Sequence, residues 1–258
     1  MNCPESPEFL RGLEGTDVTL DPPSEPPLGL ARQTWVIDRK LSERLHCLTQ
    51  QDVSEGLGLP YAAAKFLCHR KGNPGKNAFM RIYLQIPILG TQYQSHQVRR
   101  DQAAKPQPHM ELTTLKALKT SGCDVVPDLL GYQEGQQGED CIIPCGYITF
   151  VVWDKVPGEP LSADAFWALD LKSRQAIRER FREVFPKVKK CGYLPRRSTM
   201  SKIIYDNATG NMHLSGFARA GRTDKSEEWH DKYYVQFGLA KPSPKTMDCE
   251  NDPAGWTW

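Results

Sequence analysis

The chain has 258 residues, 39% hydrophobic and 25% charged, a composition that excludes disorder along its whole length. Its 33 Lys and Arg stand against 31 Asp and Glu, and a net charge of +2 supplies no global attraction to nucleic acid or to an acidic membrane. Residues 1–33 carry Pro4, Pro7, Pro22, Pro23, Pro26 and Pro27. Proline lacks the amide donor and fixes φ, so this stretch predicts a Pro-rich, disordered arm.

The apolar run Ala62–Cys68, the turn residues Lys71–Gly75 and the branched and aromatic run Ala78–Ile86 predict a β-hairpin. Leu89–Pro108 is polar and long and reads as a loop or insertion. A helix is predicted from about His109, with Leu112, Leu115 and Leu118 on one face and Gly122 as its stop. Val125–Tyr132 and Gly146–Trp153 read as strands separated by the turn Glu134–Asp140. The clearest helix is Leu171–Lys190, with Ile177, Phe181, Val184, Phe185 and Val188 on one face, Asp170 as its cap and Gly192 as its end. Its opposite face, with Arg178, Arg182 and Lys189, reads as solvated. Lys202–Tyr205 and Met212–Leu214 about Asp206–Gly210 predict a second hairpin. In the turn-rich tail, Pro242–Trp258, the tryptophans Trp256 and Trp258 are expected to dock.

No apolar run reaches the ~20 residues of a membrane-crossing helix. The longest, Cys141–Trp153, is broken by Pro144 and Gly146. The opening residues Met1–Glu5 have neither a basic start nor an apolar stretch, so no secretory leader is expected. The eight scattered cysteines are expected to be free thiols of a reducing interior, cytoplasmic or nuclear. Cys141 and Cys145 lack a second ligand pair at zinc spacing and read as two buried thiols on a strand and its approach.

This order of elements, from Ala62 to Leu239, resembles the protein-kinase-like fold, and most closely the small divergent kinase-like proteins of filamentous fungi. Glu111 opens a helix as the family's helix glutamate does. Val151–Glu159 resembles the last strand of the small lobe running into the hinge. Gly192–Asp206 has the spacing of the catalytic loop, G-x-x-H-x-D-x-x-x-x-N-I-x-x-D, and Leu214–Phe217 stands where the family has I-D-F. The resemblance implies an α+β, two-lobe, reduced kinase-like fold. The arm 1–33 precedes a small β-rich lobe over 34–153, and a truncated helical lobe over 154–241 is followed by the tail 242–258.

On this register the diagnostic residues are replaced. Pro195 stands for the loop histidine, Arg197 for the catalytic aspartate, Lys202 for the metal-binding asparagine and Gly216 for the metal-binding aspartate. Arg81 takes the place of the strand lysine, and no glycine-rich phosphate loop precedes it. Phosphoryl transfer needs carboxylates to hold magnesium and orient the nucleophile. Cations at those positions repel the metal, and an arginine stays protonated and cannot act as a base. Arg81 retains the geometry to pair with Glu111.

The resemblance therefore implies a pseudokinase: a catalytically inactive binding or scaffolding module with no catalytic residues, no metal and no cofactor. Arg81, Glu111, Arg197 and Lys202 are its candidate ligand-binding residues. The expected partner is a protein or a small anionic ligand, not a membrane. Two other readings stay open. One is a transferase with a rewired site on the same fold, recruiting Asp206, Asp154, Asp231 or His213. The other is a nucleic-acid module using Arg196, Arg197, Lys187, Lys189, Lys190 and Lys202, disfavoured by the near-zero net charge.

Overall fold

The computed structural model describes residues 8–24, 28–226, 228–242 and 253–258. The fold is mixed α and β, with one large antiparallel sheet, and it divides into two compact units. The first comprises residues 1–108 and 129–155 and the second residues 109–128 and 156–258.

In the first unit the strands are β1 (Asp17–Leu20), β2 (Gln33–His46), β3 (Tyr61–Arg70), β4 (Asn73–Gln85), β5 (Leu129–Gln136) and β6 (Tyr147–Asp154). They form an antiparallel sheet in the order β1-β2-β3-β4-β6-β5. Two single-turn helices, α1 (Gln50–Ser54) and α2 (His96–Arg100), lie in the connections, the second inside the stretch expected as a loop.

The hairpin of β3 and β4 forms where the two apolar runs about a turn predict it. Ala62, Ala64, Phe66 and Cys68 face the same side as their register partners Leu84, Ile82, Met80 and Ala78. With Trp35, Ile37 and Val152 they make a continuous apolar core. Gly72, at φ +84°, turns the hairpin in a conformation that disfavours side chains.

Two strands lie outside the sequence expectation. β1 falls within the segment predicted as a disordered arm, and β2 lies in a stretch for which no strand is predicted. In β2, Trp35 and Ile37 are buried, but bulges between Ile37 and Arg39 and between Lys40 and Ser42 break the two-residue period, and the later half is charged. A bulge hides a strand from a periodicity argument because it shifts which face each following residue takes. The proline run Asp21–Pro27 falls partly outside the described residues, as do Cys3 and Cys249. β5 begins at Leu129 instead of Val125, because Pro127 has no amide to donate and the Val125 carbonyl accepts from Leu214 in the second unit.

The second unit holds α3 (Met110–Thr120), β7 (Glu159–Pro160), α4 (Ala163–Ala168), α5 (Leu171–Lys190), β8 (Tyr193–Pro195), β9 (Ile203–Tyr205), β10 (Met212–Leu214), β11 (Ala220–Arg222) and α6 (Lys232–Gln236). Leu112, Leu115 and Leu118 of α3 are buried, and within the second unit the helix packs on the 3-10 turn Phe217–Arg219.

Helix α5 matches its predicted limits, and the Asp170 carboxylate caps it by accepting from the Ser173 amide at 2.9 Å. One expectation on it is corrected. Arg178 and Lys189 are buried, not solvated. Each lies one position after an apolar residue, Ile177 and Val188. That widens the buried stripe once chain outside the helix covers it: Phe166, Leu239 and Trp258 over Arg178, and Tyr233 over Lys189. Phe181 and Phe185 pack with Trp229, Tyr233, Tyr234 and Phe237 into an aromatic core. The tail returns to this core. Lys241 pairs with Thr257, Trp256 is buried, and the Trp258 ring lies 5.8 Å from that of Tyr234. Residues 243–252 of the tail lie outside the described residues.

Candidate functional site

The loop that the resemblance singles out lies wholly in the second unit, between α5 and β9, and a short ladder fixes its ends. β8 pairs antiparallel with β11, setting Ala220 opposite Pro195 and Arg222 opposite Tyr193. The next rung is an Arg196 N–H donating to the Arg219 carbonyl at 2.9 Å, so Arg196 and Arg219 face each other across the ladder. Like charges in directly opposed positions repel. The side chains of Arg196, Arg197 and Arg219 are exposed and have no acidic partner among the described residues. Gly221 matters here: a methyl group on it would fall 3.3 Å from Arg196 Cγ, so the arginine stem lies over a position that has no side chain.

The hairpin of β9 and β10 positions the second half of the site. Its register places Ile203 opposite Leu214, and just beyond it the Ser215 amide donates to the Lys202 carbonyl at 2.8 Å. Gly216 therefore meets Lys202. It holds φ +90°, and a side chain there would begin 2.9 Å from Lys202 Cε and 3.0 Å from Nζ. The ammonium stem of Lys202 fills the space that an aspartate at this position would need. Pro195 is buried and Arg197 exposed, so only Arg197 of that pair faces solvent.

Charge is local even though the chain is nearly neutral. From Lys187 to Lys225 there are nine Lys and Arg against only Asp206 and Asp224. The acids proposed for recruitment are engaged elsewhere. Asp206 accepts from the Ala208 amide at 3.0 Å and the Thr209 hydroxyl at 2.6 Å, and the Thr209 hydroxyl chiefly holds its carboxyl below the usual range. Asp231 accepts from the Trp229 indole N–H at 2.7 Å. His213 sits on β10 with a buried Nδ1 that has no hydrogen-bond partner, and burial lowers its pKa. Lys189, counted with a nucleic-acid face, is buried and donates to the Tyr233 hydroxyl at 2.7 Å.

Arg81 and Asp154 belong to the first unit. Arg81 is half-buried on β4, opposite Lys65 of β3, with its guanidinium 5.8 Å from the Trp153 ring. Lys65, passed over in the sequence, places its ammonium 3.6 Å from the Phe79 ring. An alternating strand with one lysine is a weak signal, and only the register shows the two cations side by side. Cys141 and Cys145 also differ from expectation. Cys141 is exposed, and Cys145, at φ 61° in the turn before β6, donates its thiol to Glu139 at 3.3 Å. No cluster of three metal-ligating side chains occurs among the described residues, nor any helix long and apolar enough to cross a membrane.

Glu111 is buried in the first turn of α3, in the second unit, where a carboxylate suits the positive end of the helix. Beside it His109, the N-cap residue, is buried, and burial pushes its pKa from 6.5 down to about 4. A depressed folded-state pKa contributes stability above the unfolded value and loses it as pH falls through 6.5 toward 4. Between pH 7 and pH 4.5 the wild type should lose about 2–3 kcal/mol more than His109→Gln, measured by urea midpoints. Parallel pH profiles for the two proteins would show that His109 is not held neutral.

No protein-family model matches the chain, and no curated protein matches it. Among solved structures, it is similar to the kinase PK-1 of the Cydia pomonella granulovirus, at 11% identity and a TM-score of 0.41, over 73% of this chain and 52% of that one. The chain thus spans about half the length of that viral kinase.

Proposed function

We propose that the chain is a kinase-like module without phosphotransferase chemistry, a pseudokinase that binds an anionic group through Arg197 and Lys202 and needs no metal to do so. The observation that carries this reading is the meeting of Lys202 and Gly216. An ammonium stem occupies the side-chain space of the position where phosphoryl transfer would require a carboxylate. The exposed arginines of the same loop and its ladder, Arg196, Arg197 and Arg219, add positive charge with no acidic partner among the described residues, which favours an external anion. The anion is a phosphate-bearing small molecule or an acidic segment of a partner protein, and the module acts by binding or scaffolding.

The test is thermal stability of the purified full chain with inorganic phosphate, ATP with EDTA, and ATP with magnesium. Phosphate and metal-free ATP should each raise the melting temperature, magnesium should add nothing, and Arg197→Ala with Lys202→Ala should abolish the response. Stabilisation that appears only with magnesium, or magnesium-dependent ATP turnover removed by Asp206→Asn, would overturn the reading in favour of a rewired transferase.

A further inference from the structure

The loop between β8 and β9 opens with Arg196, Arg197, Ser198 and Thr199, so that two arginines stand three and two residues before a threonine hydroxyl. Protein kinases with an acidic substrate groove take their substrate as an extended segment and select cations at those two places. Only Ser42 and Thr199 of this chain have a Lys or Arg at both. The fold separates the two. Ser42 lies inside β2, in register with Lys65 of β3, so its backbone is committed to the sheet. The second cation before it, Lys40, is held by Glu43 and Glu8. Thr199 is exposed, and its backbone is extended, at φ −134° and ψ 150°. The ladder of β8 and β11 ends with the Arg196 N–H on the Arg219 carbonyl. Past that rung, among the described residues, the amides of Arg197, Ser198 and Thr199 donate to no backbone carbonyl. The Thr199 hydroxyl lies 3.0 Å from the exposed Ser201 hydroxyl, and Arg196 and Arg197 are exposed beside it in the chain, whereas Ser198 is half-buried.

We propose that Thr199 is a phosphorylation site for a protein kinase that selects basic sequences, and that the phosphate it gains is paired by Arg196 and Arg197. The Thr199 oxygen attacks the γ-phosphorus of ATP held by the modifying kinase. The P–O bond to ADP breaks, and the hydroxyl proton passes to that kinase's base. The products are phosphothreonine and ADP. A phosphate dianion on Thr199 is within reach of two long side chains that have no acidic partner, and arginine pairs phosphate through two parallel N–H donors. Phosphothreonine then takes the place of the external anion, a consequence that rests on the function proposed above. The modification would act as an off-switch for that site.

The experiment incubates the purified full chain with the catalytic subunit of the cyclic-AMP-dependent protein kinase and magnesium ATP, and maps phosphate by tandem mass spectrometry. Phosphate should appear on Thr199 of the native chain and not on Ser42. Thr199→Ser should remain a substrate and Thr199→Val should not, with unchanged melting temperatures showing that both fold. Arg197→Ala should slow the modification about tenfold or more. The phosphorylated chain should no longer gain melting temperature from inorganic phosphate. Its phosphorus NMR resonance should titrate at lower pH than the same phosphothreonine in urea, because neighbouring cations favour the dianion. Phosphate on Ser42 in preference to Thr199, or on Thr199 of the heat-unfolded chain alone, would overturn the site. Identical titrations in the native and urea-unfolded chains would overturn the pairing with Arg196 and Arg197. An unmodified chain that gains no stability from phosphate would overturn the off-switch and the anion-binding function together, while the phosphate map still decides Thr199.

Discussion

Arg178→Ala should lower stability by about 3–4 kcal/mol, while Arg178→Met should cost about 1 kcal/mol. Arg178 is 0% exposed. Its Nε–H donates to the Leu239 carbonyl at 2.8 Å, and its guanidinium lies 5.6 Å from the Phe166 ring and 5.4 Å from the Trp258 ring. Nη2 has no hydrogen-bond partner, and no carboxylate pairs with the group among the described residues. Desolvation accordingly lowers its pKa, although it stays charged. Alanine removes the packed stem and leaves a cavity beneath Trp258. Methionine keeps most of that volume and removes a charge that is only partly compensated, at the cost of one orphaned carbonyl. Urea midpoints of the two variants decide it. Equal losses would mean that the charge, not the stem, is what the aromatic core requires.

Gly216→Ala is expected to destabilise by about 2–4 kcal/mol: about 1–2 from forcing a side chain into the left-handed region and the rest from collision with Lys202. The two parts separate in a double-mutant cycle. Lys202→Ala alone should cost little, since the side chain is only half-buried. In the Lys202→Ala background the penalty at position 216 should fall to the backbone part alone, a coupling of about 1–2 kcal/mol. Strict additivity would show that Lys202 does not occupy the space beside Gly216, and the pseudokinase reading would lose its carrying observation. Gly216→Asp should be no better tolerated than alanine and should confer no magnesium affinity while Lys202 remains.

The departures between sequence and structure have a common cause. Where one face of an element alone decides its burial, the sequence sufficed. β3 and β4 are two apolar runs paired about Gly72, α3 places Leu112, Leu115 and Leu118 on one stripe, and α5 runs from the Asp170 cap to its predicted end. The second hairpin, Ile203–Tyr205 with Met212–Leu214, was equally readable from its turn. Where burial comes from chain distant in sequence, it did not. Arg178 looks like surface on its own helix and becomes core only because Phe166, Leu239 and Trp258 arrive from elsewhere. β2 lost its period to two bulges, and β1 is a strand only because β2 offers it an edge.

The candidate site divides the same way. It was the resemblance to the kinase-like fold that marked Pro195, Arg197, Lys202 and Gly216 as one set of replaced positions, a reading that used residue types and their order and no coordinates. What filled the space left at Gly216 and which arginines face each other across β8 and β11 were decided by tertiary structure. Each is a contact between segments far apart in the chain. Sequence determines which groups are present and which local conformations they favour. Which of them come within a hydrogen bond of one another depends on how strands register and helix ends meet, and no local periodicity encodes that.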